Sequence, residues 1–471
     1  MQPPLVLQWE FYASRFNSIR KYVSGHTMKL FPKSPLNSTL LRLALPTVLM
    51  NLTVPLLGIV DTAVVGHLAE PYYLGAVSLG SLAFTILTWA FGFFRMATVG
   101  QAAQARGRGD TDGTVSVLGR GVLLSLAAGA VLAAIRIPIG ELAFEWLGGS
   151  AEVQRFGLEF FGIVSLAMPA TLTLQVFQGW FYGVKHPNFP VALTIFVNAV
   201  NIALNFTLVW GFGMKSVGVA LATLIAQWLG LAIALGGFFI GFREYAARLR
   251  LRPLLEMRPL LALLRLNSDI FIRTCSLLFA NAYFLRRAAN AGDVALAANA
   301  ILVQLRHLTS YALDGFAAAA EVVVGEAIGA RDKPRVLEAI RLSRTWGLFV
   351  GAGLSAVYLA GWPLVPRLFT ENADVRAAAW GLYAWIVAEP WISNICFVLD
   401  GIFVGATATR TMRNSMVAAV FVVFIPLALV LQPLLGLHGL WAAYEALYAA
   451  RGATLGWVLR GFVRGRRVAL G

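Results

Sequence analysis

The chain has 471 residues, 58% of them hydrophobic and only 13% charged, with a mean hydropathy of +0.72 and a formal net charge of +15. A soluble domain carries about a quarter charged residues, so this composition excludes an ordinary soluble protein and assigns the basic surplus to cytoplasmic loops of a membrane protein, not to nucleic-acid binding. Its two cysteines, Cys275 and Cys396, offer no disulfide framework and no metal spacing.

Residues 1–37 are mixed and polar, with Arg15, Arg20, Lys21, Lys29 and Lys33, and contain no apolar core long enough for a signal peptide. They are expected to form a cytoplasmic tail. Apolar runs follow at 40–66, 74–100, 115–138, 157–183, 190–212 and 217–241, then at 268–289, 294–326, 342–364, 377–405, 414–435 and 438–460. Each approaches the roughly 20 residues that cross a bilayer, and in lipid a run of this kind must be helical. The expected fold is therefore an all-α polytopic membrane protein with about twelve transmembrane helices. Between the sixth and seventh runs lies "RLRLRPLLEMRPLL", the core of a basic linker over 243–266. The linker separates a six-helix unit over 38–242 from a second over 267–460, and a basic tail over 461–471 closes the chain.

Lysine and arginine are unevenly shared between the two sets of loops. One set holds the tail, Arg106, Arg108, Lys185, the six arginines of the linker, Arg331, Lys333, Arg335, Arg341, Arg344, Arg410, Arg413 and the closing "RGFVRGRRVALG". The other holds Arg136, Arg155, Lys215, Arg286, Arg287, Arg367 and Arg376. The richer side is expected to be cytoplasmic, with both termini on it, as in a multi-pass protein of the inner membrane.

The two halves echo one another. "VGQAAQARGRGD" from Val99 matches "VGEAIGARDKP" from Val324, "FQGWFYGVK" from Phe177 matches "LDGIFVGAT" from Leu399, and "GVALA" from Gly218 matches "GLWAA" from Gly439, at separations of 225, 222 and 221 residues. Six runs per half give both halves the same topology, related by an axis along the membrane normal. Two pseudo-symmetric bundles with a cleft between them suit a transporter. A membrane-embedded enzyme or receptor would not require them.

"LRLALPTVLMNLTVPLLGIVDTAVVGHL", "YALDGFA", "LDGIFVGATATRTMRNSM" and "GLHGLWAA" together resemble the DinF branch of the multidrug and toxic compound extrusion (MATE) transporters, over about 38–460. The resemblance implies two six-helix lobes exporting organic compounds in exchange for H⁺ or Na⁺, with Asp61 matching a cation-linked aspartate of the first helix. Many relatives carry N-x-x-L-D in the fifth helix. Here "NIALN" keeps Asn201 and places Asn205 where the aspartate would stand, which favours proton over Na⁺ coupling. A lipid-linked precursor flippase is the alternative within transport.

The residues themselves agree with an ion-coupled path. Thr47, Asn51, Val54, Gly58, Asp61 and Val65 form one stripe of the first run, between Pro46 and Pro55 and the run's end. A carboxylate at the centre of a spanning helix costs roughly 2.5–3.5 kcal/mol on insertion scales, so it marks a functional position. Thr194, Asn198, Asn201 and Asn205 share a stripe of the fifth run. His307, Tyr311, Asp314 and Glu321 share one of the eighth, with Asp400 and Glu389 in the tenth and Arg306 and Arg273 as expected partners. Asp61, Asn198, Asn201 and Asn205 are the ion-coupling candidates. Asp314, Glu321, Asp400 and Tyr311 are the polar candidates of the second lobe. Asn51, Thr47, Trp180, Tyr182 and Trp210 are candidates for the substrate path, where ring faces suit cationic compounds. No G-x-x-x-x-G-K-[ST], H-E-x-x-H or G-x-S-x-G motif is present, so neither ATP drive nor hydrolytic chemistry is expected, and no cofactor beyond the coupling ion, H⁺. The expected partners are a small organic substrate and membrane lipid, with no nucleic acid and a single copy of the chain.

The Lys and Arg asymmetry makes a direct prediction. A cysteine placed in the 243–266 linker will resist an impermeant thiol reagent added to intact cells and react once the membrane is opened. Labelling from outside would reverse the orientation.

Overall fold

The computed structural model describes residues 34–68, 70–362 and 364–465, with the side chains of 54–57, 59, 61 and 62 left undescribed. Most of the expected tail and the last six residues lie outside this range. All regular structure among the described residues is helical. Twelve long helical runs are present: α1 (Pro35–Gly66), α2 (Pro71–Gly107), α3 (Thr111–Ala134), α4 (Ala151–Gly183), α5 (Asn188–Gly211) and α6 (Lys215–Gly241), then α7 (Met257–Ala289), α8 (Asp293–Gly329), α9 (Lys333–Gly361), α10 (Ala373–Gly405), α11 (Thr409–Leu435) and α12 (Leu437–Val463). Seven of them meet the length and hydropathy of a membrane span unaided. Among the other five, α7, α8 and α12 carry buried charge: Asp269, Arg306, Glu321, Glu445 and Arg451.

Local sequence accounts for most boundaries. Ser34 caps α1 by accepting from the Leu36 amide at 3.2 Å, and Pro35 occupies the first turn, where its missing N–H costs nothing. The helix runs unbroken through Pro46 and Pro55. The third apolar run ends sooner than its hydropathy suggests. At Ile135 the chain turns, Arg136 donates to the Ala133 carbonyl at 2.8 Å, and a separate helix Arg136–Leu147 follows. The basic-end turns repeat between the halves. Gly109 and Arg331 both have positive φ, at 70° and 55°, and each precedes an aspartate that caps the next helix: Asp110 accepts from the Gly113 amide at 2.7 Å, and Asp332 from the Arg335 amide at 3.1 Å. Lys185 and Thr407, at φ 66° and 54°, occupy matching positions after α4 and α10.

Packing repeats as well. α2 and α3 lie on α4 as α8 and α9 lie on α10, α5 pairs with α6 as α11 with α12, and α1 crosses to α8 as α7 crosses to α2. At the close contacts the helices meet through glycine. A Cβ on Gly179 or Gly183 would come within 2.5 Å and 2.9 Å of the α2 carbonyls of Arg95 and Val99. In the second half, Gly401 and Gly405 stand 2.1 Å and 2.5 Å from the α8 carbonyls of Ala317 and Glu321 on the same construction. Each half thus has a G-x-x-x-G pair where small residues let backbones approach.

The halves join at the basic end. Val99 and Ala103 of α2, Tyr182 of α4 and Leu40, Leu43 and Ala44 of α1 share one core with α8, α9, α10 and α12. Gln104 donates to the Gly405 carbonyl at 2.8 Å, a Cβ on Gly329 would sit 2.1 Å from the Gln104 carbonyl, and Lys185 pairs with Glu326, which also takes Arg335 at 3.1 Å. Toward the other end the described cores belong to one half each: Val64, Tyr73, Phe160 and Val219 in the first, Phe284, Tyr383, Trp441 and Tyr444 in the second.

Gly401→Ala tests the tight seam, since its methyl would have to displace backbone. Overpacking of this kind costs ~2 kcal/mol, so the variant should melt at lower temperature in detergent. Gly353→Ala in α9, where a Cβ meets nothing within 4 Å, should melt at or above the wild-type temperature.

Candidate functional site

α1 brings its polar stripe to two different partners. Thr47 is buried, and its hydroxyl lies 2.5 Å from that of Tyr182, which itself donates to the Leu43 carbonyl. The pair staples α1 to the end of α4. One turn on, the Asn51 amide donates to the Tyr311 carbonyl of α8 at 3.1 Å and links the halves near mid-depth. These three residues, read as path candidates, are therefore helix-joining contacts. Asp61 lies on α1 beyond them, and its side chain is outside those described, as are those of Val54 and Pro55.

The α5 stripe divides. Asn198 and Thr194 face a polar cavity of about 150 Å³ among α4, α5 and α6, with Thr171, Gln175, Gln178 and Gln227 around it. Neutral amides and hydroxyls supply the polar part of this lining, and its volume holds several waters at roughly 30 Å³ each. Asn201 and Asn205 are buried: Asn205 donates to the Asn201 Oδ1 at 2.9 Å, and Asn201 donates to Thr223 of α6 at 3.0 Å. Immediately after Asn205 the helix widens into a π-turn, Phe206–Gly211, and α11 contains another, Ala419–Phe424. Such turns recur at functional sites.

Trp180, expected on the path, is fully buried. Its indole N–H donates to the Thr114 carbonyl at 2.9 Å, and its ring meets Phe181, Phe238, Phe242 and Tyr245 edge-on. The apolar bulk that suggested a cavity wall instead fills the core of the first half. Trp210 is half exposed and rests over the end of α1, 3.4 Å from the Val64 carbonyl and edge-on to His67. His67 Nδ1 lies 2.7 Å from the Ala63 carbonyl, a local structural contact.

The second half concentrates charge. Both Arg273 of α7 and Arg451 of α12 place a guanidinium nitrogen on the same oxygen of Asp400 in α10. Glu321 is buried on α8, Asp314 is half-buried two turns away, and both feel the charges of Arg95 on α2, Arg273 and Asp400. Three carboxylates and three guanidiniums thus lie in one neighbourhood that reaches across the seam. Arg306 is not the partner expected for this set. It donates to the Tyr448 hydroxyl at 3.3 Å and lies over the Tyr444 ring at 5.0 Å, near the buried Glu389 and Glu445. Tyr311 stands on α8 between the groups, 6.4 Å from the His307 ring. Sequence reading missed Arg95, Arg451 and Glu445. Arg95 and Arg451 in apolar helices were the available signal, since intramembrane charge is seldom idle.

At the basic end, outside the spans, burial draws the Lys185 ammonium below the ordinary lysine value, and the paired Glu326 carboxylate draws it back. The pair holds α4 of one half to α8 of the other.

With this geometry described, three comparisons bear on the chain. The MatE family model matches it twice, at residues 46–207 and 270–430, once in each half. It is 37% identical over 437 residues to the DNA damage-inducible protein F of Escherichia coli (strain K12), covering 90% of this chain and 92% of that one. It is 29% identical to a "Probable multidrug resistance protein NorM" of Caulobacter vibrioides, over 86% of this chain and 85% of that one. Its fold superposes on a structure titled "Outward-facing conformation of a multidrug resistance MATE family transporter of the MOP superfamily" with a TM-score of 0.81 at 21% identity, covering 94% and 98% of the two chains.

Asp400→Asn would leave the buried Arg451 and the partly buried Arg273 facing one neutral amide. Breaking a buried pair costs roughly 3–5 kcal/mol, so a large fall in melting temperature is expected. Arg273→Met keeps Arg451 on Asp400 and should fall less. Equal losses would mean that the two arginines are not sharing the carboxylate.

Proposed function

The chain belongs to the MatE family, and we propose that it is a secondary antiporter of the cytoplasmic membrane that exports amphipathic or cationic organic compounds in exchange for protons. The observation that carries this reading is the asymmetry of the seam. One end is closed by glycine-tight backbone contacts and the Lys185–Glu326 pair, while the described cores at the other end stay within their own halves. With the basic end in the cytoplasm, the chain is sealed inward, and transport requires that seal to part while the opposite end closes. Alternating access needs only that ligands and protons bind the two arrangements unequally.

Proton coupling is favoured by the amide chemistry of the first half. Asn198, Asn201, Asn205 and Thr223 are neutral groups that hydrogen-bond a carboxylate in either protonation state. They supply no second negative charge of the kind a hard cation prefers. Asp61, on the same half, is the group assigned to carry the proton. The names of the relatives, which refer to multidrug resistance, support the substrate class. The balance of charge at the seam argues against an anionic precursor: Arg273 and Arg451 are answered by Asp400, and the charge of Arg95 acts on Asp314 and Glu321.

The test is transport in proteoliposomes under separately imposed ΔpH and Na⁺ gradients. Wild type should move a cationic dye under ΔpH alone. Asp61→Asn should lose this movement by at least about ten-fold, ~1.4 kcal/mol in coupling, while retaining dye binding by fluorescence polarisation. Transport driven by Na⁺ and indifferent to ΔpH would exclude the proton. Undiminished ΔpH-driven transport by Asp61→Asn would move the role to Asp314.

A further inference from the structure

We propose that the linker between the two halves is a binding surface for anionic phospholipid headgroups. Over 243–266 the chain carries six arginines and two glutamates. The segment is held against the first half at three points. Leu254 is buried where a Cβ on Gly119 of α3 would meet it at 2.7 Å, Arg120 donates to the Pro253 carbonyl at 2.8 Å, and Arg248 reaches Asp112 at 3.4 Å. This anchoring fixes which side chains face outward.

Those side chains are of two kinds. Leu251, Leu255 and Met257 are 75%, 66% and 65% exposed, and Leu261 and Leu264 continue the apolar stripe up α7 at helical spacing. Between them Arg250, Arg252, Arg258 and Arg265 are exposed and make no hydrogen bond or ion pair among the described residues. Glu256 sits in the same stretch but pairs with none of them. Large apolar side chains beside free guanidiniums form an amphipathic surface segment, whose apolar face enters the headgroup boundary while its cations meet phosphate. The placement agrees with α7, whose 33 residues span about 50 Å at 1.5 Å each, more than the roughly 30 Å of hydrocarbon, so its first turns stand in the interface. Charge complementarity then selects the occupant: an anionic headgroup such as phosphatidylglycerol, gripped bidentately by arginine.

The experiment uses the full chain in nanodiscs of phosphatidylcholine alone or mixed with phosphatidylglycerol. It compares wild type, the triple variant Arg250→Gln/Arg252→Gln/Arg258→Gln and a control, Arg286→Gln, at the other end. Native mass spectrometry counts retained phosphatidylglycerol, and thermal unfolding reports its effect on stability. Wild type and control should retain the anionic lipid and melt higher in its presence, with the gain shrinking as salt rises. Each arginine near an anionic surface contributes about five-fold in affinity, so the triple variant should lose most of the adduct and most of the gain, while melting as wild type does in phosphatidylcholine. A triple variant that gains as much from phosphatidylglycerol as wild type overturns the proposal. So does a wild type indifferent to lipid charge, or one that exchanges the lipid for an RNA oligomer.

Discussion

Close approach of backbones is the constraint on which this architecture depends. In hydrocarbon, helices gain nothing from hiding leucine, since the surrounding tails are equally apolar, and association rests on packing and hydrogen bonds. Gly179, Gly183, Gly401 and Gly405 remove the side chains that would hold α4 from α2 and α10 from α8. Gly325 and Gly329 do the same across the seam between the halves. Each of these contacts sets a backbone carbonyl against a glycine, so the fit is tight and leaves little room for a second arrangement within a half. Freedom is left between the halves, whose glycine-tight joining surface lies at one end, with Asn51 on Tyr311 as a further link near mid-depth.

The repeated scaffold has been put to different chemical uses. Gln178 in the first half and Asp400 in the second occupy matching positions one residue before the G-x-x-x-G pair. Gln178 donates to Thr194 at 3.3 Å beside an uncharged cavity, and Asp400 binds two arginines. The first half therefore offers hydrogen bonds without fixed charge, and the second offers a neutralised cluster. Breaking into that cluster is costly because each arginine would be left without its anion, whereas amides in the first half can accept a passing charge and release it.

Much of this was legible in the sequence. Run length gave the helices, and three short matches gave the repeat, because glycine and turn residues are tied to backbone geometry. Side-chain partners were less legible. Trp180 and Tyr182 are aromatics two positions apart with different surroundings, one sealed among rings and the other bonded to Thr47, and only three-dimensional packing separates them. Arg306 was matched with a carboxylate because charge seeks charge in lipid; it lies near Glu389 and Glu445, yet its hydrogen bond goes to the Tyr448 hydroxyl and its guanidinium lies over the Tyr444 ring. The start of the helix Arg136–Leu147 was merged with the end of the third apolar run and the rest of it lay outside every run, since hydropathy does not record a change of direction.

The two π-turns have a consequence for how the fifth and eleventh helices present themselves. A π-turn holds one more residue than an α-turn, so every position beyond it is rotated relative to a regular screw. Above Asn205 the thread of α5 is out of phase with the thread below. Trp210 therefore points in a direction that counting from Asn198 at 3.6 residues per turn would not give. The face below Asn205 is fixed to α6 through Asn201 and Thr223, while the last turn of α5 presents its side chains on a different screw.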